Sequence, residues 1–152
     1  MGFKEECGVV GIIGDPESAN LIYLSLYALQ HRGQEAAGIV TLSDDGRFHG
    51  HKGYGLVGDI FAKDRLDKLV GSAGVGHNRY STHGGKMIQN VQPFFFNTAI
   101  GSVAIAHNGN LTNADRIRTE LESNGSIFQS TSDTGSPRVI PFSYYSTWSA
   151  TE

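Results

Sequence analysis

The chain has 152 residues, which is enough for one domain with a hydrophobic core and short for two. Hydrophobic residues make up 39% and charged residues 18%, a composition typical of globular rather than disordered proteins. The net charge of −3 gives no electrostatic reason to expect nucleic acid or an anionic membrane as partner, and no apolar run approaches the roughly 18 residues of a membrane span.

In the first half of the chain, short apolar runs bounded by glycine or turn residues indicate strands, and apolar residues at helical spacing indicate helices. Asp15 is expected to cap the first helix, with Pro16 at its first position and Gly33 at its end. Asp59 is expected to cap the second helix. The predicted elements are a buried strand at 7–14, a helix between 15 and 33, strands at 36–42 and 47–52 joined by Asp44-Asp45-Gly46, a helix at 59–70 and a strand at 73–79.

The second half continues with a polar loop from Thr82 to Gln92, a strand at 99–107, and a helix capped by Thr112 that ends at Gly125. The run PFFFN at 93–97 is interpreted as core packing. Interspersed strands and helices together with a hairpin predict a mixed or antiparallel sheet with covering helices. Residues 135–152 show no helical or alternating pattern, so this tail is not expected to continue the same domain.

Two motifs point only weakly to chemistry. GYGLVG at 53–58 matches the dinucleotide pattern, but the preceding RFHGHK is a poor buried strand and no acidic residue follows about twenty positions on, so a glycine-rich turn is favoured. His49 and His51 would share one face of a strand and could bind a metal ion. With no cysteine or carboxylate near them in sequence, a surface position is favoured.

Cys7 is the only cysteine, which excludes an internal disulfide and favours a reducing, cytoplasmic setting. A lone cysteine is usually a small buried hydrophobe. As a nucleophile it would need a nearby base, and no histidine lies close in sequence. Removal of residues 1–6 would give Cys7 a free α-amine with a pKa of about 7.7–8.0, which could accept the thiol proton. The alternatives are thus a packing residue and an N-terminal nucleophile.

Six motifs appear in order and resemble one enzyme family: CGVVGI, LQHRGQEAAGI, GHNRYST, NVQPF, AHNGNLTNA and STSDT. They are similar to the class II glutamine amidotransferase domain of the amidophosphoribosyltransferase family, which acts first in purine synthesis. The resemblance implies an α+β fold of the N-terminal-nucleophile hydrolase type, a four-layer α/β/β/α sandwich of antiparallel sheets. The related glucosamine-6-phosphate synthases usually have Tyr at the place of His31 and Trp-Ala at the place of Tyr80-Ser81, so the purine family is favoured.

Site residues follow from the same resemblance. It implies that Cys7 is the nucleophile and that the Asn108 side chain and Gly109 N–H stabilise the oxyanion. It also implies that Arg79 pairs with the α-carboxylate of L-glutamine and that Asp133 holds its α-ammonium group. The remaining residues that match positions near the nucleophile or in the loops over glutamine are Arg32, Gly33 and Thr82.

The resemblance covers about residues 5–134, which predicts a leader at 1–6, a partial amidotransferase domain at 7–134 and a divergent tail at 135–152. It implies no metal or cofactor within this chain. Mg²⁺, an iron–sulfur cluster in some members, and the binding of phosphoribosyl diphosphate belong to a further domain in the family, whose full-length members are homo-oligomers. The functional alternatives are a glutamine-hydrolysing enzyme and a non-catalytic fragment.

Overall fold

The structure, a computed structural model, describes residues 7–80, 88–98, 101–109 and 113–126. The chain divides into two compact units, residues 1–109 and 110–152. The first unit holds strands β1 to β6, helices α1 to α3 and two turns of 3₁₀ helix, and the described part of the second holds α4. In chain order these elements are β1 Gly8–Ile13, α1 Ser18–Ala28, a 3₁₀ turn Gln30–Arg32, β2 Ala36–Leu42, β3 Phe48–Tyr54, α2 Val57–Ile60, α3 Lys63–Leu66, β4 Ala73–Arg79, a 3₁₀ turn Ile88–Asn90, β5 Phe94–Thr98, β6 Gly101–Ile105 and α4 Ala114–Ser123.

The larger sheet has the strand order β1-β4-β2-β3, and all its pairings are antiparallel. β4 lies between β1 and β2, so that Asn78 is opposite both Gly8 and Ala37. The bounds of β2 and β4 are those predicted, because each is a short β-forming run with turn residues on either side. The Asp44-Asp45-Gly46 turn is also confirmed, with Gly46 at a φ of +81°.

Helix α1 packs on one face of this sheet. Ile22 and Leu26 are fully buried there, over Gly74 and Gly76 of β4. A Cβ at Gly76 would lie 2.4 Å from Cγ2 of Ile22, so the missing side chain makes room for the helix. The remaining buried core residues on this side are Ala19, Ala37, Ile39, Val57, Ile60, Phe61 and Leu69.

The opposite face of the larger sheet packs against the β5–β6 hairpin. Gly38 is the closest approach, because a Cβ there would lie 2.2 Å from the main-chain oxygen of Gln92. Phe48 of β3 contacts Phe95 of β5, with ring centroids 5.2 Å apart. Phe94 and Phe96 are buried, as the core interpretation of this run predicts. The first unit therefore contains three layers: a helix, a sheet and a second sheet.

Several local predictions were wrong. Among the described strands β1 lies at an edge of the larger sheet, and Val9, Gly11 and Ile13 are exposed, so it is not buried on both faces. Helix α1 begins at Ser18, because Asp15 to Glu17 form a turn in which the Asp15 carboxylate accepts from the Glu17 N–H at 2.8 Å. The helix ends at Ala28, and Gly33 follows a separate 3₁₀ turn in extended backbone.

The helix predicted at 59–70 is interrupted, giving the short helices α2 and α3. Phe61 and Ala62 leave helical conformation between them, and this turn buries Phe61 in the core. Asp59 lies within α2 and does not cap it. The β5–β6 hairpin was not predicted, although strand 99–107 contains β6. Thr112 lies outside the described residues, and Asn113 precedes α4.

The contact at Gly38 generates a stability prediction. Gly38→Ala should lower the free energy of unfolding by about 1–3 kcal/mol or more, because the obstructing atom is main-chain oxygen that cannot rotate away. Urea unfolding followed by circular dichroism measures the change. Gly11→Ala is the matched control, since a Cβ at Gly11 would have no other atom within 4 Å, and its effect should stay within about 0.5 kcal/mol. Equal effects of the two substitutions would contradict the tight sheet-to-sheet contact.

Candidate active site

Cys7 directly precedes β1, at the end of the sheet where β4 finishes with Arg79. A Cβ on Gly8 would point at Leu29, on the helix side, so alternation turns the Cys7 side chain to the other face, which faces the second sheet. The Asn78 side chain bonds Leu26 on the helix side, so Arg79 also faces the second sheet. The β1–β4 register thus brings Cys7 and Arg79 together on one face. The Cys7 thiol is partly buried, 3.9 Å from the main-chain oxygen of Tyr80.

Two side chains donate hydrogen bonds to the main-chain oxygen of Cys7. Arg32 Nε does so at 2.9 Å, from the 3₁₀ turn after α1. Asn108 Nδ2 does so at 3.1 Å, from the loop after β6. These donors are 25 and 101 residues away in sequence. The structure therefore gathers Cys7, Arg32, Arg79 and Asn108 at one end of the larger sheet.

Gly33 and Gly109 occupy positions where glycine has a structural reason. A Cβ at Gly33 would lie 2.9 Å from main-chain and side-chain atoms of Asn78, so glycine lets the turn with Arg32 approach β4. Gly109 has a φ of +123°, a backbone conformation that other residues rarely adopt. It follows Asn108 directly, so its N–H is on the same loop as the Asn108 amide.

Arg79 has a buried guanidinium nitrogen, Nη1, with no hydrogen-bond partner among the described residues. A buried charged donor without a partner is costly. A guanidinium group matches a carboxylate in shape and charge and can bind it through two parallel bonds. An anionic group would therefore be favoured beside this nitrogen.

His77 is a buried residue of this face that sequence reasoning missed. It is 1% exposed and lies opposite Gly38 of β2. It precedes Arg79 by two residues on β4, so both side chains are on the same face of the strand. Neither ring nitrogen makes a hydrogen bond of good geometry within the described part of the chain. Burial, with the nearby His107 imidazole, lowers the pKa of His77 to about 4, and the His107 main chain partly offsets this. The ring is therefore neutral at pH 7.

Gln92 also supports the site and was not singled out from sequence. Its side-chain oxygen accepts from the His107 N–H at 2.7 Å, directly before Asn108. Gln92 is 8% exposed, and its main-chain oxygen lies against Gly38 of β2. The loop with Asn108 is therefore bonded to a buried residue. Only its position in the NVQPF motif marked it in the sequence.

Several predicted site features fall outside the described residues. These are Thr82, Asp133, the leader at 1–6 and the tail at 135–152. Their predicted roles stay predictions.

His49 and His51 share one face of β3, as strand alternation predicts, but they contact different groups. His49 Nε2 lies 3.2 Å from Ser43 Oγ, and His51 Nε2 lies 3.2 Å from Arg65 Nη1. Within residues 7–80, 88–98, 101–109 and 113–126, no three His, Cys, Asp or Glu side chains form a metal-ligand group.

The GYGLVG segment at 53–58 ends β3 and begins α2, with Gly55 at a φ of +118°. Within the described ranges β3 pairs with β2 alone and antiparallel, so this segment shows no parallel strand context of a dinucleotide site there. The turn interpretation is therefore confirmed. No helix in the described ranges is both long and apolar enough to cross a membrane.

Comparison with known proteins finds a family model and relatives whose names agree with one another. A family model described as "Glutamine amidotransferase domain" matches residues 77–148. The amidophosphoribosyltransferase of Lacticaseibacillus casei is 52% identical over 134 residues, which cover 88% of this chain and 69% of that protein. Chloroplastic amidophosphoribosyltransferase 2 of Arabidopsis thaliana is 56% identical over 131 residues, covering 86% of this chain and 23% of that protein. This chain thus spans about a quarter of the length of the plant relative.

Two solved structures are similar over most of the chain. One, titled as the allosteric regulatory enzyme of purine biosynthesis, has a TM-score of 0.79 and 43% identity, covering 95% of this chain and 30% of that one. The other is glutamine phosphoribosylpyrophosphate amidotransferase from B. subtilis, complexed with ADP and GMP. Its TM-score is 0.75 at 46% identity, covering 83% of this chain and 27% of that one.

The neutral His77 predicts a pH dependence of stability. The unfolded-state pKa is 6.5 and the folded-state pKa is about 4, so between these values the unfolded chain binds more protons. Stability is therefore full above pH 6.5 and falls as the pH drops toward 4. This one residue should remove about 2 kcal/mol between pH 7 and pH 5, and His77→Gln should lose that component. Urea unfolding at both pH values measures it, and equal pH dependence of parent and variant would contradict it.

Proposed function

The chain belongs to the amidophosphoribosyltransferase family, and from this premise we propose that it hydrolyses L-glutamine to glutamate and ammonia with Cys7 as nucleophile. Its two antiparallel sheets with a covering helix are those of the N-terminal-nucleophile hydrolase fold, as the sequence resemblance implied. The relatives are named as amidophosphoribosyltransferases, which disfavours the glucosamine-6-phosphate synthase alternative.

One observation carries the proposal. The chain's only thiol lies at the start of β1 and a buried Arg79 nitrogen, without a partner among the described residues, lies at the adjoining end of β4; an asparagine amide 101 residues away bonds the main chain of the same cysteine. A packing cysteine needs none of these neighbours. A nucleophile for an amide substrate with a carboxylate head needs a charged anchor and a polarising donor within reach.

The reaction begins with attack of the Cys7 sulfur on the side-chain carbonyl carbon of glutamine. The carbon–oxygen double bond opens to an oxyanion, for which the second N–H of the Asn108 amide and the Gly109 N–H are the proposed donors. The tetrahedral intermediate collapses by breaking the carbon–nitrogen bond, and protonated nitrogen leaves as ammonia. Water then hydrolyses the thioester, which releases glutamate and restores the thiol.

The proposed base is the α-amine of Cys7 itself, which is free only after residues 1–6 are removed. It would take the thiol proton before attack and give it to the departing nitrogen. The two hydrogen bonds on the Cys7 carbonyl support this role, because they fix the residue that carries both the amine and the thiol.

Glutamine binding is assigned by the same proposal to residues around Cys7. Arg79 would pair with the α-carboxylate, and Asp133 would hold the α-ammonium group. Arg32 and Gly33 form the turn beside the nucleophile, and Thr82 is proposed to lie in a loop over the substrate.

In the longer family protein, we propose that the ammonia is transferred to phosphoribosyl diphosphate, giving 5-phosphoribosylamine for purine synthesis. That step, with its Mg²⁺ and oligomeric assembly, is assigned to a further domain. A free Cys7 thiol suits a reducing compartment such as the cytoplasm. Plant relatives are named chloroplastic, so the compartment differs among relatives.

Cys7 substitution tests the nucleophile. Cys7→Ala should abolish glutaminase activity, and Cys7→Ser should retain little, because a hydroxyl is a much weaker nucleophile near neutral pH. Intact mass after a glutamine-like diazoketone label should show one adduct on protein that begins at Cys7, and excess glutamine should prevent it. Full activity in protein that keeps Met1 would rule out the N-terminal amine as base. Absence of both label and activity in folded protein would favour the non-catalytic alternative.

Asn108→Ala tests the oxyanion donor. It should lower kcat by about 10²–10³-fold with a smaller change in KM, because the donor acts on charge that develops during attack. Asn97→Ala is the control, since Asn97 is exposed on β5 and its side-chain oxygen accepts from Ser102 Oγ at 2.7 Å. A change in KM alone would mean that Asn108 binds ground-state substrate instead.

A further inference from the structure

The turn that carries Arg32 is joined to the glycine-rich loop by one side chain, Gln30. We define the Arg32 turn as residues 30–33 and the 53–58 loop as residues 53–58. Gln30 Nε2 donates to the main-chain oxygen of Gly33 at 2.6 Å, and Gln30 Oε1 accepts from the Val57 N–H at 2.7 Å. Both ends of the amide are therefore occupied, and both bonds are partly buried.

The Val57 end of this bridge is buried. Val57 is fully buried in the core with α1, and its N–H is one of the first donors of the short helix α2. A second bond runs parallel to the bridge, from the Gly55 N–H to the Glu35 oxygen at 2.8 Å. Two hydrogen bonds thus join the 53–58 loop to residues 30–35.

The other end of the Gln30 bridge lies next to Arg32, which bonds Cys7. Gln30 holds Gly33, which touches Asn78 of β4, and Arg32 lies between them. Arg32 Nε is 2.9 Å from the Cys7 oxygen. A displacement of the Arg32 turn would change this contact directly.

We propose that Gln30 is a positioning residue whose side-chain amide ties the Arg32 turn to the 53–58 loop and so holds Arg32 on the Cys7 carbonyl. A glutamine amide suits this place because it presents a donor and an acceptor together. An ionised glutamate has nearly the same shape but only accepts, so it would place a carboxylate against the Gly33 oxygen. The glycine-rich GYGLVG motif thereby gains a role as a support for the site. The functional meaning rests on the proposed function, but the contact itself can be tested without it.

The test uses the rate at which iodoacetamide alkylates Cys7, measured by intact mass, since Cys7 is the only thiol and alkylation needs no glutamine site. Gln30→Glu, Arg32→Lys, the double variant and the control Gln34→Glu are compared, with circular dichroism to confirm folding. Gln34 is exposed in the same segment and receives the same charge change.

We expect Gln30→Glu and Arg32→Lys each to change the Cys7 alkylation rate by about threefold or more, and the double variant to match Arg32→Lys alone. Gln34→Glu should leave the rate unchanged. A folded Gln30→Glu protein with the parent rate, or effects that multiply in the double variant, would overturn the proposal.

If Gln30→Glu does not fold, Gln30→Met replaces it in the same comparison, since it removes both bonds without adding charge. Hydrogen exchange at the Val57 amide of the parent chain gives a measurement that needs no variant: slow exchange supports the bridge and free exchange overturns it. Labelling of the parent by the glutamine-like diazoketone is scored separately. Its failure would count against the proposed function, while the alkylation comparison would still decide the role of Gln30.

Discussion

The main-chain oxygen of Cys7 is held from two sides, by a guanidinium group from the turn after α1 and an amide from the loop after β6. These bonds restrain the one residue that carries the candidate nucleophile. They also fix the spacing between three segments that are distant in sequence. A glutamine side chain also bonds the segment of each donor. Gln30 bonds the main chain of Gly33, next to Arg32, and Gln92 bonds the main chain of His107, next to Asn108. Side-chain amides thus connect both donor segments to other parts of the fold.

β4 accounts for much of this arrangement, because the residues on its two faces differ. Toward α1 it presents Gly74 and Gly76, which allow the helix to approach closely. Toward the second sheet it presents His77 and Arg79, both with buried nitrogens that lack partners among the described residues. Buried polar groups of this kind weaken the fold, and they are tolerated where function requires them. The helix side of the strand is thus shaped for close packing, and the sheet side holds Arg79 of the proposed site.

The sequence predicted best what depends on local pattern. The bounds of β2 and β4 followed from short β-forming runs and turn residues, and the Asp44-Asp45-Gly46 turn followed from its composition. The interruption between α2 and α3 was not predictable from local pattern, because burial of Phe61 in the tertiary core outweighed helical spacing. The exposure of β1 was not predictable either, since an apolar run does not reveal whether a strand lies at a sheet edge.

For the candidate site, too, the sequence revealed residues in recognisable motifs but not residues that matter through tertiary contacts. Cys7, Arg32, Arg79 and Asn108 were identified through family motifs, and the structure brings them together. His77, Gln30 and Gln92 were missed because their importance lies in contacts across the fold. A buried imidazole opposite Gly38 can be recognised only once the β2–β4 register is known. Composition alone carries no such information.

The long sequence separations within the site have a consequence for the order of events during folding. The β2–β3 hairpin closes a short loop, whereas pairing β1 with β4 joins Gly8 to Asn78, and the Asn108 bond to Cys7 spans 101 residues. Loop-closure entropy makes such distant contacts slower to form than local ones. A nascent chain therefore acquires its hairpin early, while its thiol remains unrestrained.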